Sequence, residues 1–199
     1  MSRSVEDPLK TIYLDREFIA NLYEQETGNQ PETKISTSET LHATAKIPLF
    51  SGGASSAETR TYSVSIRGML EALKAKLSTF PDEAQIELEH DKPSVYMWVS
   101  GVLSINVLKR SRKMQSEKTG RQENVVLAEV PYYALEKSKY KFALIPSEDY
   151  FQSGFRGLRE LHNTVLGPID LPVNALLRVV SAQTNFNQWI AIPLIIYES

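Results

Sequence analysis

Near Ala84 the hydrophobic period of the chain changes, and no other feature narrows its fold as far. Before that point apolar residues recur at helical spacing, as Phe18, Ile19, Leu22 and Tyr23, and again as Ile66, Met69, Leu70, Leu73 and Leu77. After it they alternate, first as Ile86 and Leu88 against Glu87 and Glu89, and last as Ile190, Ile192, Leu194 and Ile196. A period of about 3.6 residues lines one face of a helix and a period of 2 lines one face of a strand. The expected class is therefore α+β: an N-terminal helical part, then a C-terminal five- or six-stranded, mostly antiparallel sheet or OB-like barrel with one inserted helix.

The boundaries follow from punctuation. Residues 1–8 read as a disordered N-terminus, 9–83 as an N-terminal α+β segment with two helices, and 84–199 as a β-rich domain. Thr11–Leu14 is predicted to be a short strand. Asp15 stands at an N-cap position and Gly28 at a stop, giving a helix over Asp15–Thr27. Gly28–Thr40 is polar, His42–Phe50 suits one strand, and Ser51–Ser56 (SGGASS) reads as a flexible loop. Ser65 caps the second helix, which Phe80-Pro81 closes. The predicted strands are then Gln85–His90, Ser94–Leu108, Glu123–Val130, Lys139–Ile145, Pro172–Ala182 and Gln188–Glu198. Gly101 marks a bulge or sharp bend in the second of these. A helix over Phe151–Leu166, stopped by Gly167-Pro168, falls between the fourth and fifth, and Pro193 favours an edge position for the last. From Ser94 onward this order, with a helix between strands three and four, is that of the five-stranded OB barrel.

Charge supplies the second constraint. The 199 residues hold 22 Lys and Arg against 24 Asp and Glu, a net charge of −2 that excludes a globally basic nucleic-acid binder. Lys109, Arg110, Arg112, Lys113, Lys118 and Arg121 nevertheless lie together, opposed only by Glu117, so this segment carries +5 and the rest of the chain −7. The stretch Lys109–Gln122 reads as a polar loop. In an OB-type barrel it joins strands one and two, one of two loops that grip oligonucleotides; the other is Ala182–Asn187, which carries Phe186. Single-stranded nucleic acid needs cations for phosphates and aromatic faces for bases, and Trp98, Tyr96, Phe186 and Trp189 are the candidates for stacking. Six phosphate contacts to a single strand give a slope of about −4 in log K against log[salt]. The same composition also suits a solvated hairpin loop with the aromatics in the core.

The leading expectation is a non-enzymatic binding module for single-stranded nucleic acid, with Lys109, Arg110, Arg112, Lys113, Lys118, Arg121, Trp98, Phe186 and Trp189 as its site. The alternative is a protein–protein adaptor or small-ligand sensor of a multi-component bacterial system, whose basic loop docks an acidic protein. An enzyme has less support. Asp82, Glu87, Glu89 and Asp91 near Lys92 approach the carboxylate-x-Lys pattern of metal-dependent nucleases, but His90 occupies the position two before the lysine. His42, His90 and His162 stand apart from one another, and the chain has no Cys, which removes thiolate nucleophiles and cysteine-ligated metals. No cofactor and no metal are expected. Met1–Pro8 lacks the apolar core of a secretory signal, and Trp189–Tyr197 is about half of a membrane-spanning length, so a cytoplasmic protein without a membrane span is predicted. The apolar closing strand offers a pairing edge for an oligomer.

Tyr13–Tyr23 (YLDREFIANLY) and the closing WIAIPLIIY of Trp189–Tyr197 resemble segments of uncharacterised bacterial hypothetical proteins, over about 20 residues. The resemblance implies a bacterial or archaeal source and brings no active site with it.

Overall fold

The computed structural model describes residues 10–39, 56–115, 122–152, 155, 170–185 and 187–199. The predicted N-terminus 1–8, the strand His42–Phe50, the loop up to Ser55, and all of the inserted helix except Phe151, Gln152 and Phe155 lie outside these. By contacts the chain divides into two units, one of Met1–Asp15 with Lys76–Ser199 and one of Arg16–Ala75. Among the described residues no helix is long and apolar enough to cross a membrane.

In the smaller unit, α1 (Arg16–Thr27) buries Ile19, Ala20 and Leu22. It ends where Gly28, at φ +71°, donates its N–H to the Glu24 carbonyl at 2.8 Å, a left-handed position that glycine adopts without a Cβ clash. α2 (Ile66–Leu77) begins as its Ser predicts: the Gly68 N–H donates to Ser65 Oγ at 3.1 Å, satisfying one of the unpaired first-turn donors. Met69, Leu70, Leu73 and Leu77 form its buried stripe. Between the helices, β2 (Glu32–Glu39) and β3 (Ser56–Tyr62) pair antiparallel, from Glu32 opposite Tyr62 to Glu39 opposite Ser56. The polar Gly28–Thr40 segment, which carries no apolar alternation, is thus largely a strand.

The larger unit is a closed five-stranded mixed barrel with one extra strand. Its strands are β4 (Val95–Gln115), β5 (Gln122–Glu136), β6 (Phe142–Leu144), β7 (Asp170–Gln183) and β8 (Trp189–Glu198). β4 pairs with β5, β5 with β6, β6 with β8, β8 with β7, and β7 with β4 again. Four of these pairings are antiparallel and β6–β8 is parallel. The extra strand, β1 (Thr11–Leu14), continues the line of β6 along the same side of β8, with Leu14 opposite Ile195.

Alternation fills the barrel. Met97, Val99, Leu103 and Ile105 of β4 meet Val173, Ala175, Leu177 and Val179 of β7, with Tyr133, Leu135 and Phe142 from the far wall. Each large apolar side chain so enclosed contributes about 1.5–3 kcal/mol. Gly101 is neither bulge nor register shift: β4 and β7 pair without a break from Val95–Val179 to Ser104–Asp170. It is a close approach, where an added Cβ would sit 2.5 Å from the Glu136 carbonyl oxygen. Pro193 does not mark an edge. β8 has neighbours on both sides, and Pro193 lies at a bulge where Leu176 faces Ile195 and Leu177 faces Pro193, a site that tolerates a missing N–H. The predicted pairing edge for an oligomer is therefore already occupied.

Two further expectations are corrected. Gln85–His90 is not a ladder strand; a 3-10 turn over Glu83–Gln85 leads into an extended segment whose Ile86 and Leu88 pack on the core while Glu87 and Glu89 stay outside, so alternation without strand partners produced the pattern. Lys109–Gln122 is not a loop throughout. β4 runs on to Gln115 and β5 starts at Gln122, paired in antiparallel register to their ends.

Candidate functional site

β7 stops pairing with β4 at Ser104, and β6 reaches β5 only at Tyr133–Leu135. Beyond these points β4 and β5 have only each other among the described pairings, forming a two-stranded ribbon from Asn106–Tyr132 to Gln115–Gln122. At about 3.3 Å per residue it extends about 30 Å from the barrel. Lys109 stands opposite Glu129, Arg110 opposite Ala128, Arg112 opposite Val125 and Lys113 opposite Asn124, with an irregularity between Arg110 and Ser111. Four of the six predicted cations thus share one strand; Lys118 and Arg121 lie outside the described residues.

A groove of about 530 Å³ opens at the foot of the ribbon. Its floor comes from strand parity. Phe142 and Leu144 point into the barrel, so Ala143 points out, in register with Ala134 on one side and Ile190 on the other. The Ala143 methyl keeps the floor low beside Ile190. Tyr133 fills the core and Tyr132 turns outward to form one wall. The turn between β7 and β8 forms the other wall through Gln183, Thr184, Asn185 and Gln188. Ile145, at 59 % exposure, stands at the rim, and Val130, at 50 %, lies two residues from Tyr132.

The turn is held in place. The Thr184 N–H donates to the Gln188 carbonyl at 2.7 Å, the Asn187 N–H to the Thr184 carbonyl at 3.1 Å, and Asn187 takes the left-handed φ of +57° that Asn tolerates. The Tyr132 hydroxyl donates to Gln188 Oε1 at 3.0 Å, tying one wall to the other. Gln188 is 4 % exposed, so its amide is a buried polar group fixed by that bond. Among the described residues none that lines the groove carries a charge.

The predicted stacking residues lie elsewhere. Trp98 is a core residue: its Nε1–H donates to the Leu77 carbonyl at 2.9 Å and its ring lies 6.3 Å from that of Tyr197. Trp189 is buried in the barrel and stacks on His90 at 4.8 Å. Neither indole has a face left for a base, because strand parity turns one inward and covers the other. Tyr96 is half-buried beside Phe80. Phe186 lies outside the described residues, although the turn that holds it is the one predicted to grip. Sequence reasoning missed Tyr132 and Gln188. The available signal was the Tyr132-Tyr133 doublet, since alternation must put one ring of such a pair on the outside.

The acidic segment is engaged by lysines. Lys139 Nζ lies 2.7 Å from Glu87 Oε1 and the Tyr140 hydroxyl donates to Glu87 Oε2 at 3.0 Å, which holds the Glu87 carboxyl below its usual range and raises Lys139. Lys92 pairs with Glu89 at 2.6 Å. Among the described residues no three His, Asp or Glu side chains converge as a metal site would require. Tyr13, deep in the larger unit, is pushed above the usual tyrosine range by burial, and its hydroxyl accepts the Ser147 N–H at 3.1 Å.

Compared with protein-family models, with curated proteins and with solved structures, the chain matches none.

Proposed function

We propose that this protein is a non-enzymatic module that binds single-stranded nucleic acid across the outer faces of β5 and β6. One observation carries the reading: an uncharged groove with an aromatic wall lies at the foot of a ribbon whose sequence supplies Lys109, Arg110, Arg112 and Lys113. A single strand presents the matching pair of surfaces, a charged backbone and uncharged bases. The order of pairings supports an OB-like barrel, and in OB folds the faces of strands two and three, with the loops after strands one and four, take oligonucleotides. β5 and β6 follow β4 in that order here, and the Gln183–Gln188 turn follows the fourth strand of the barrel. Cytoplasmic location and a bacterial source belong to the same reading.

Fluorescence anisotropy of a labelled single-stranded oligonucleotide tests it. Binding is expected at about 50 mM salt and should weaken steeply as salt rises, with a slope near about −4 if all six cations meet phosphates. No binding at low salt overturns the proposal. Capture of an acidic protein that survives nuclease treatment would favour the adaptor reading instead.

A further inference from the structure

Resting on that reading, we infer that the groove between Tyr132 and the Gln183–Gln188 turn is a seat for one unpaired nucleobase, and that it acts separately from the phosphate-binding ribbon. The lining excludes other occupants in turn. A phosphate or carboxylate finds no cation there. An aliphatic chain would fill the low floor at Ala143 but cover the amides of Gln183, Asn185 and Gln188 without a hydrogen bond, and unsatisfied buried amides are costly. A flat heteroaromatic ring satisfies both requirements. Its face lies against apolar floor and tyrosine wall, and its edge, which alternates donors and acceptors, meets amides that offer both.

The seat is organised before a ligand arrives. The hydrogen bond from Tyr132 to Gln188 fixes the ring and the amide, and the bonds around Thr184 fix the turn, so little side-chain freedom remains to be lost on binding. Ala143 is the sensitive point: it lines the groove beside Ile190, and a larger side chain there occupies the space a ring would take.

Titration of the full chain with free adenosine, guanosine, cytidine and uridine, followed by backbone amide resonances, tests the inference. At least one nucleoside should give saturable shifts at Ala143–Ile145 and Gln183–Gln188, and its affinity should change little with salt because the groove carries no charge. Ala143→Phe should abolish the shifts, and Tyr132→Ala should weaken binding by about tenfold or more. Asn185→Ala changes an exposed turn residue and should weaken binding while leaving thermal unfolding unchanged, so loss of binding in it cannot be ascribed to misfolding. If oligonucleotides bind but nucleosides produce no shift, or if an abasic oligonucleotide binds as tightly as a normal one, the base seat is wrong and the phosphate reading stands. An equal response to indole overturns base recognition as well. If neither nucleosides nor oligonucleotides bind, both proposals fall.

Discussion

The two halves of β4 form one continuous strand but have different surroundings. From Val95 to Ser104 the strand pairs with β7, and with β5 from Val102 on, and its alternate side chains Met97, Val99 and Leu103 are in the core. From Asn106 to Gln115 it pairs with β5 alone, and its sequence turns from VSGVLSI to KRSRKMQ. The first half is specified by the core it fills; the second is held by its ladder with β5 and has a basic sequence.

Gly101→Val should produce the largest effect, because the new side chain meets the Glu136 carbonyl where β4 first comes under β5. A loss of about 3 kcal/mol in chemical denaturation is expected, and a cost under about 0.5 kcal/mol would show that the approach is loose. In the other half, simultaneous replacement of Arg110, Arg112 and Lys113 by Ala should change stability by less than about 0.5 kcal/mol. The same variant should reduce the steepness of the salt slope by about 2. A stability loss as large as that of Gly101→Val would mean that the two halves are one structural unit. A smaller effect concerns the segment outside the barrel. Glu87 has a lowered pKa in the folded protein, so the stability it confers is present above the ordinary carboxylate range and is lost as pH falls through its folded value. Lys139→Ala should move the Glu87 titration, read by carboxyl NMR, upward. An unmoved midpoint would show that Tyr140 alone sustains the shift.

How much of this was legible in the sequence depended on whether a segment had a core to alternate against. Strands facing the barrel interior show period 2 clearly, as in Ile190 to Ile196, and the last was placed to within a residue, whereas the predicted strand Glu123–Val130 stopped short of Pro131–Glu136, the part of β5 whose Tyr133 and Leu135 are in the core. β2 and the outer part of β4 lack that signal because they belong to two-stranded pairings, so only their polar composition was read. Pro193 was read by its usual preference, but a bulge satisfies the same restriction inside a sheet. The clustering of the cations is legible in the sequence, but the surroundings of the aromatics are not. Six clustered cations stand out from any background, whereas Trp98 and Trp189 were chosen for size alone, and a large ring more often fills a core than lines a surface. Tyr132 needed a register, which only the pairing of β5 with β6 supplied.

The pairing of β1 with β8 also bears on how the chain matures. Thr11 lies opposite Tyr197, so β1 finds its hydrogen-bonding partner in the strand farthest from it in sequence among those described. The parallel contact of β6 with β8 waits for the same segment. Barrel closure waits for β8, and contacts this distant in sequence fold slowly. Until β8 is in place, β6 and β7 each have an unpaired edge, the interval in which the nascent protein is most open to strand-to-strand aggregation.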